Sequence, residues 1–411
     1  MNPLPTSTSP ALKPPSGRLL SVDALRGFDM LWIVGAHTIV SAFEKMSPHP
    51  ATTFVATQLT HAQWDGFRFY DLIFPLFLFI VGVSLVFSLD KALADGGRGR
   101  VLGRVFRRSL LLLVIGIFYY GGLAQPWPDV QIGGVLPRIA LCYFFAALIY
   151  TFVRNPKGIA ATASVLLAGY WIVMTFVPFP DLRLEKPIVS EIAARIGSES
   201  PFDIARAVPE RITGIYEEPR NLSNFVDFLF MPGKKAKRYY INEGLLSTVP
   251  SIALSLFGIL AGLLLKNGSI APPRKILWLL VCGAGACALG LLWSLQFPLI
   301  KRIWTSSFVL VASGLSACIV ALFYWLVDVK MWRGWCQPFV WIGSNALTIY
   351  VVTSIVSFQT LAARFVGGDV QIFFDTHFAK GFGGLVTATL GLLLTIGFAR
   401  FLFKRQIFLR V

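Results

Sequence analysis

Long apolar runs separated by short polar connections fill the chain from about residue 27 onward. A helix needs roughly 17–25 mostly apolar residues to cross a bilayer core of about 30 Å. The pattern therefore predicts about ten transmembrane helices, over 27–43, 69–90, 106–125, 135–153, 159–179, 243–265, 276–297, 304–327, 338–360 and 381–403. Strands of a membrane barrel would instead show short alternating segments. The fold class is all-α, a polytopic integral membrane protein. The connection 180–242 is the long one. Within it "EKPIVSEIAARIGSES" predicts a short surface helix, and "MPGKKAKRYY" a turn followed by a basic patch. Residues 1–17 are rich in Pro, Ser and Thr and hold no apolar core of a signal peptide, so they read as a disordered tail ahead of one membrane domain, 18–411. No internal repeat is visible, which disfavours the inverted-repeat transporter folds.

Composition agrees with the pattern. Of the 411 residues 55% are hydrophobic and only 14% charged, against about a quarter charged in a soluble domain. The formal charge of +16 would suggest nucleic acid in a soluble protein. Here the basic residues fall in short connections on one side: Lys13, Arg18 and Arg26 first, then Lys91, Arg98, Arg100, Arg104, Arg107 and Arg108, then Arg154 with Lys157, and so on to Lys404, Arg405 and Arg410. The opposite short connections carry only Lys45, Arg68, Lys301, Arg302 and Arg364. The positive-inside rule then places both termini in the cytoplasm and 180–242 outside, with membrane lipid rather than nucleic acid as the partner of the charge. Cys142, Cys282, Cys287, Cys318 and Cys336 have no zinc-site spacing and read as small core residues, so no metal is expected.

This topology sorts the histidines. His49, His61 and His377 fall in outward connections and His37 in the outer half of the first helix. In "LTHAQWDGFRFYDLIFPLFLFIVG" (59–82), His61, Trp64, Asp65 and Asp71 stand at the mouth of a helix. A neutral imidazole is a base or a nucleophile, and a carboxylate can orient it. Asp71 has two readings, a cap favoured by the helix dipole or a partner for the histidine. Trp64 is a membrane-interface residue or a sugar-stacking platform. His37 lies among apolar residues, where an ionisable group usually faces a polar cavity or a neighbouring helix. Asp29 is expected to pair with a loop arginine. Lys301 and Arg302 in "FPLIKRIWTSSF" either snorkel to headgroups or bind an anion. Glu243 precedes the helix of "NEGLLSTVPSIALSLFGILAG", where it reads as a cap, and Pro250 as a kink. The arginines of "GGRGRVLGRVFRR" either touch anionic lipid or hold phosphates, and no Walker loop is present. Asn345, in "WIGSNALTIYVVTSIVSF", is a helix–helix hydrogen-bonding group or a cofactor contact.

The series "RLLSVDALRGFDML" (18–31), "HAQWDGFRFYDLIFPLFLFIVG" (61–82), "GGVLPRIALCYF" (133–144), "EGLLSTVPSIALSLFGILAG" (243–262), "PLIKRIWTSSF" (298–308) and "GSNALTIYV" (343–351) resembles the transmembrane acyltransferases typified by heparan-α-glucosaminide N-acetyltransferase, in particular their bacterial relatives associated with N-acetylglucosamine use. The resemblance implies acetyl transfer from cytosolic acetyl-CoA, as co-substrate, to the amine of a glucosamine-containing acceptor across a bacterial inner membrane. It carries the catalytic role to His61, as general base or acetyl carrier, with Asp71 beside it. Acceptor contacts are expected at His37, Trp64, Asp65 and Glu243, and contacts to acetyl-CoA at Arg26, Arg104, Arg107, Arg108, Arg138, Lys301 and Asn345. The family often has Asn where this chain has His37. Family members include dimers, so a homodimer is also expected. An amino-sugar transporter and an O-acetyltransferase of exported glycans are the competing readings.

Overall fold

A computed structural model describes residues 19–47 and 49–408. The predicted tail 1–17, with Lys13, and the topogenic Arg18 and Arg410 lie outside the described residues. The order of helices is α1 (Leu20–Leu31), α2 (His37–Met46), α3 (Pro50–Gln58), α4 (Phe69–Tyr119), α5 (Val135–Phe152), α6 (Pro156–Phe176), α7 (Lys186–Ile196), α8 (Pro201–Arg206), α9 (Leu222–Phe230), α10 (Thr248–Lys266), α11 (Pro272–Trp293), α12 (Ser306–Phe323), α13 (Gln337–Ser344), α14 (Ala346–Ile355), α15 (Phe358–Val366), α16 (Asp369–His377) and α17 (Phe382–Lys404). Two residues of each strand, β1 (Phe179–Pro180) and β2 (Arg211–Ile212), pair antiparallel. Helix starts follow the chemistry of the connections. Asn155 accepts the Gly158 N–H at 2.6 Å with Pro156 at the first position of α6, where a missing N–H costs nothing.

Among the described residues seven helices are long and apolar enough to cross a membrane, eight if the bent pair α13–α14 is one span. The protein is thus a mostly helical, multi-pass membrane protein, and the predicted segments divide differently from the expectation of ten. The span at 27–43 is broken, because α1 passes through a π-turn (Trp32–Ala36) in which Gly35 has φ 142°. The predicted helices 69–90 and 106–125 join into one helical segment of 51 residues with a single non-helical residue, Gly97. Unbroken, such a segment would extend about 76 Å, far beyond a bilayer core, so Gly97 divides it into two arms. The segment 338–360 bends by 78° at Asn345 and its second helix ends at Ile355. Helix α10 begins at Thr248 rather than 243. Pro250 therefore lies in its first turn, where proline is tolerated, instead of kinking a span. The predicted surface helix in 185–200 appears as α7. Among the cysteines Cys142 and Cys336 are buried, while Cys282 is exposed on the bundle rather than in its core.

The bundle is held by close crossings of backbone. A Cβ on Gly82 of α4 would fall 2.1 Å from the Ser255 carbonyl oxygen of α10, and one on Gly258 would fall 2.1 Å from the Phe79 carbonyl oxygen. The two helices touch through small residues, the packing favoured where lipid offers no hydrophobic gain between helices. Crossing α1–α13 repeats the device with Gly27 against Phe339 and Gly343 against Asp23. At one end of the bundle Asp90 joins three elements, accepting from the Tyr150 hydroxyl (2.9 Å), Arg154 (2.5 Å) and Lys266. At the other end the segment after α6 builds its own small core from Leu182, Leu184, Val189, Ile204, Phe228 and Tyr240.

Replacing Gly82 or Gly258 by Leu will force α4 and α10 apart at a cost of about 1–3 kcal/mol, lowering the midpoint of thermal unfolding in detergent. Gly285→Leu, at a position with nothing within 4 Å of the added Cβ, is the control and will leave that midpoint in place.

Candidate active site

His61 stands on the loop between α3 and α4. Its Nδ1 is 2.9 Å from Asp71 Oδ1 and 3.0 Å from Lys301 Nζ, and Lys301 Nζ is 3.4 Å from the same Asp71 oxygen. The other oxygen of Asp71 accepts the backbone N–H groups of Ala62 and Arg68, both at 3.1 Å. Asp71 thus caps α4 and orients the histidine at once. Its side chain is 1% exposed, whereas that of His61 is 52% exposed, so a buried carboxylate holds a ring that solutes can reach. Arg68 braces the loop, donating to the Thr60 hydroxyl (2.6 Å) and the His61 carbonyl (3.0 Å). The Tyr70 ring lies 4.8 Å from the His61 ring and 5.6 Å from that of His37. His37, at the start of α2, bonds the Trp32 carbonyl at 3.0 Å, so it joins His61 only through Tyr70.

Lys301 arrives from the turn between α11 and α12. That turn is strapped to the His61 loop by a hydrogen bond from the Gly66 N–H to the Leu299 carbonyl (2.9 Å) and by a bridge between Asp65 and Ile300. Thr305 closes the turn, accepting the Ile300 N–H at 3.1 Å and donating to the Pro298 carbonyl at 2.7 Å. Asp65 contributes this bridge and leaves its side chain exposed. Trp64 donates its indole N–H to the Tyr216 carbonyl at 2.7 Å and packs in a cluster with Tyr170 and Phe297. It wedges the His61 loop against the segment 179–242. Arg302, 5.9 Å from the Trp64 ring centre, grips Glu218 at 2.5 and 2.6 Å, and Tyr240 bonds the same carboxylate.

Glu243 is half-buried. Its charge acts on Lys301, Tyr120 and Arg138. The turn that carries it is fixed from both sides. Arg138, 1% exposed, donates to the Gly244 carbonyl (2.9 Å), to Ser247 and to Ser251 (3.3 Å). Asp227 accepts the Leu245 N–H at 2.8 Å. Arg138 is thereby a clamp on the start of α10, and Glu243, five residues ahead of that start, is not its cap. Burial pushes the Asp227 carboxyl up to about 6.

A cavity of about 460 Å³ runs between α1, α4, α5 and the α13–α14 break. Arg26, Lys91 and Arg108 lie along it together with Met30, Phe74, Phe77, Leu112, Asn345 and Tyr350. Arg26 is steadied by Ser84 at 2.7 Å, and Arg108 lies 4.7 Å over the Tyr143 ring. Lys91 follows Asp71 by some 30 Å of helix, so the cationic residues mark the end of the cavity remote from His61. Near His61, Phe74 meets Trp304 edge-on at 5.4 Å, and Trp304 belongs to the Lys301 turn. Asn345, 3% exposed, leaves both its amide oxygen and its amide nitrogen without a hydrogen-bond partner in the protein. Of the residues expected to contact acetyl-CoA, the cavity collects Arg26, Arg108 and Asn345. Arg104 and Arg107 are exposed residues of α4 outside the cavity lining, Arg138 clamps α10, and Lys301 joins His61. Sequence reasoning missed Lys91 and Tyr350 as cavity residues. Lys91 stands two helical turns before Arg98, apart from the dense run of arginines, and that separation was the available signal for it. Asp29 departs from its expected arginine pairing: it is fully buried with both oxygens unbonded.

The family model described as heparan-alpha-glucosaminide N-acetyltransferase, catalytic, matches residues 18–188. The stretch includes His61, Asp71, Arg26, Lys91 and Arg108. The human heparan-alpha-glucosaminide N-acetyltransferase is 29% identical over 330 residues, covering 71% of this chain and 48% of the human protein. Its mouse counterpart is 27% identical over the same proportions. The chain spans about half the length of the curated relatives it matches.

Two outcomes follow from the packing around the site. Arg302→Ala removes the grip on Glu218 and the cation over Trp64, so limited proteolysis will cut within 180–242 sooner while the membrane helices stay protected. The raised Asp227 carboxyl keeps its proton in the folded state where the unfolded chain has lost it. Its contribution to stability is complete below about pH 4 and falls as pH rises to about 6. Melting of Asp227→Asn against pH will lack that fall.

Proposed function

We propose that the protein is a transmembrane N-acetyltransferase that moves an acetyl group from cytosolic acetyl-CoA to the amine of a glucosamine-type sugar at the extracytoplasmic face, with His61 as base or acetyl carrier. The observation that carries this reading is the cavity that holds Arg26, Lys91 and Arg108 and whose apolar wall includes Phe74, one turn along α4 from Asp71 of the His61–Asp71–Lys301 cluster. The similarity to the human and mouse N-acetyltransferases supports the reaction class. The excess of Lys and Arg in these connections supports a cytoplasmic position for the cationic end under the positive-inside rule, in keeping with a bacterial inner membrane.

The residues suit the donor. Its phosphates cannot enter hydrocarbon, and Arg26, Lys91 and Arg108 offer three cations at the cavity's far end. Its apolar, amide-bearing arm would thread along Met30, Phe77 and Leu112. The unbonded carboxamide of Asn345 can both donate to and accept from an amide of that arm. The thioester then reaches the His61 side, while the acceptor approaches from the exposed face of the ring. Asp65 and Glu243 offer carboxylates to a cationic amino sugar. His37 and Trp64 shape the approach through Tyr70 and through the segment 179–242.

Two routes balance. In the first, His61 takes a proton from the amine as its nitrogen attacks the thioester carbonyl; the carbon–sulfur bond breaks, and the thiolate recovers the proton. In the second, the imidazole attacks first, breaking the carbon–sulfur bond to release the thiolate and form an acetyl-imidazolium; the amine then attacks that carbonyl, the carbon–imidazole bond breaks to return the neutral ring, and the amine's proton passes to the thiolate. Both convert a thioester to an amide, a downhill change that needs no ion gradient. In each, Asp71 holds the ring by its Nδ1–H and stabilises the cation that develops.

Purified protein incubated with radiolabelled acetyl-CoA and a panel of amine and hydroxyl acceptors tests donor, reaction and acceptor together. Glucosamine-containing amines will be labelled and their 2-hydroxy counterparts will not; labelling of hydroxyls alone would make the protein an O-acetyltransferase. His61→Ala will lose about 10³-fold or more in transfer while binding acetyl-CoA within about twofold of wild type. Transfer retained in that variant would falsify the assignment of His61.

A further inference from the structure

The position of Lys301 against His61 constrains the histidine itself. Nδ1 of an imidazole offers one in-plane position, either an N–H or a lone pair. It can donate to Asp71 at 2.9 Å or accept from Lys301 at 3.0 Å, and it cannot do both. Asp71 is surrounded by donors: two backbone N–H groups, Lys301 at 3.4 Å and the ring. Four donors match the lone pairs of an ionised carboxylate. The arrangement that satisfies every group has Nδ1–H and the ammonium both directed at Asp71. The Nε2 lone pair then points away from this triangle.

The groups around His61 decide its charge. Asp71 on α4 favours the imidazolium. Lys301 from the α11–α12 turn opposes it, and so does the Arg68 guanidinium, bonded to the His61 carbonyl. Tyr70 lies against the ring face, and Glu243 acts on Lys301. A carboxylate beside the ring favours its cation over its neutral form. An ammonium sharing that carboxylate cancels the bias. The turn keeps the ammonium in place through the Gly66–Leu299 and Asp65–Ile300 links, so its position does not depend on side-chain chance. Burial pushes the Lys301 ammonium down from the usual lysine range, and Asp71 pulls it back.

We propose that Lys301 is a positioning residue that keeps the His61 imidazole uncharged with its proton on Nδ1, presenting Nε2 as the base or nucleophile. This rests on His61 acting as described under the proposed function. The test reads the imidazole directly. Diethyl pyrocarbonate modifies only unprotonated imidazole, and His61 is open to it. The rate of modification of the His61 peptide, followed by mass spectrometry on the full-length protein in detergent, gives the pH at which the ring loses its proton. In Lys301→Met that midpoint will rise by about one pH unit, the size of effect one neighbouring charge exerts, and in Lys301→Arg it will return toward wild type. Lys301→Gln serves where the Met variant fails to fold, judged by its melting. A midpoint that stays in place or falls in the folded Met or Gln variant overturns the proposal. The acid limb of the acetyl-transfer profile will move by the same amount. Absence of transfer in the wild type would overturn the enzyme reading alone, since the modification midpoint still decides the role of Lys301.

Discussion

A carboxylate that is 1% exposed at the head of a membrane helix must be surrounded by donors or lose its charge, and the end of the bundle that holds His61 is arranged around that requirement. Asp71 draws two N–H groups from its own loop, a ring nitrogen from His61 and an ammonium from a turn 230 residues further along the chain. Meeting the requirement fixes the loop 59–68, brings His61 to the rim and ties the α11–α12 turn to the mouth of α4. The same turn carries Trp304 into the core and Arg302 to Glu218, so the extramembrane segment is referenced to the same point.

The rest of the bundle serves distance. Glycine crossings between α4 and α10 and between α1 and α13 bring backbones together without side chains between them. Where α1 and α13 meet, the chain bends at Asn345 and leaves a cavity instead of a filled seam. Lys91 and Arg108 on α4 and Arg26 on α1 share this cavity with an apolar wall of Met30, Phe77 and Leu112. The proposed function uses that division, with the phosphates of an acyl-CoA held by the cations and its thioester carried along the apolar wall.

Much of this was legible in the chain. Apolar run length announced a polytopic helical protein, and the motif around His61 and Asp71 offered the aspartate as cap or as partner of the histidine; the structure gives it both places. Spacing was a poor guide where a glycine or an amide interrupts a helix: Gly35, Gly97 and Asn345 redivide predicted spans, because hydropathy counts apolar residues and is blind to φ. The basic residues expected at acetyl-CoA also separate in the structure. Arg104, Arg107, Arg108 and Arg138 look alike in a list of cations, yet Arg108 lines the cavity, Arg104 and Arg107 are exposed outside its lining, and Arg138 is buried against the start of α10.

The sequence by itself determined the membrane solvent, the helical class and the nearness of His61 to Asp71, since these depend on residue type and on neighbours within a few turns. Only the tertiary structure decided that Lys301 stands beside His61, that Arg138 is a clamp, and that Lys91 and Tyr350 line the same cavity as Arg26. Those facts depend on which faces of distant helices meet. That is set by the satisfaction of buried charges and the fit of backbone against backbone, neither of which has a period along the chain.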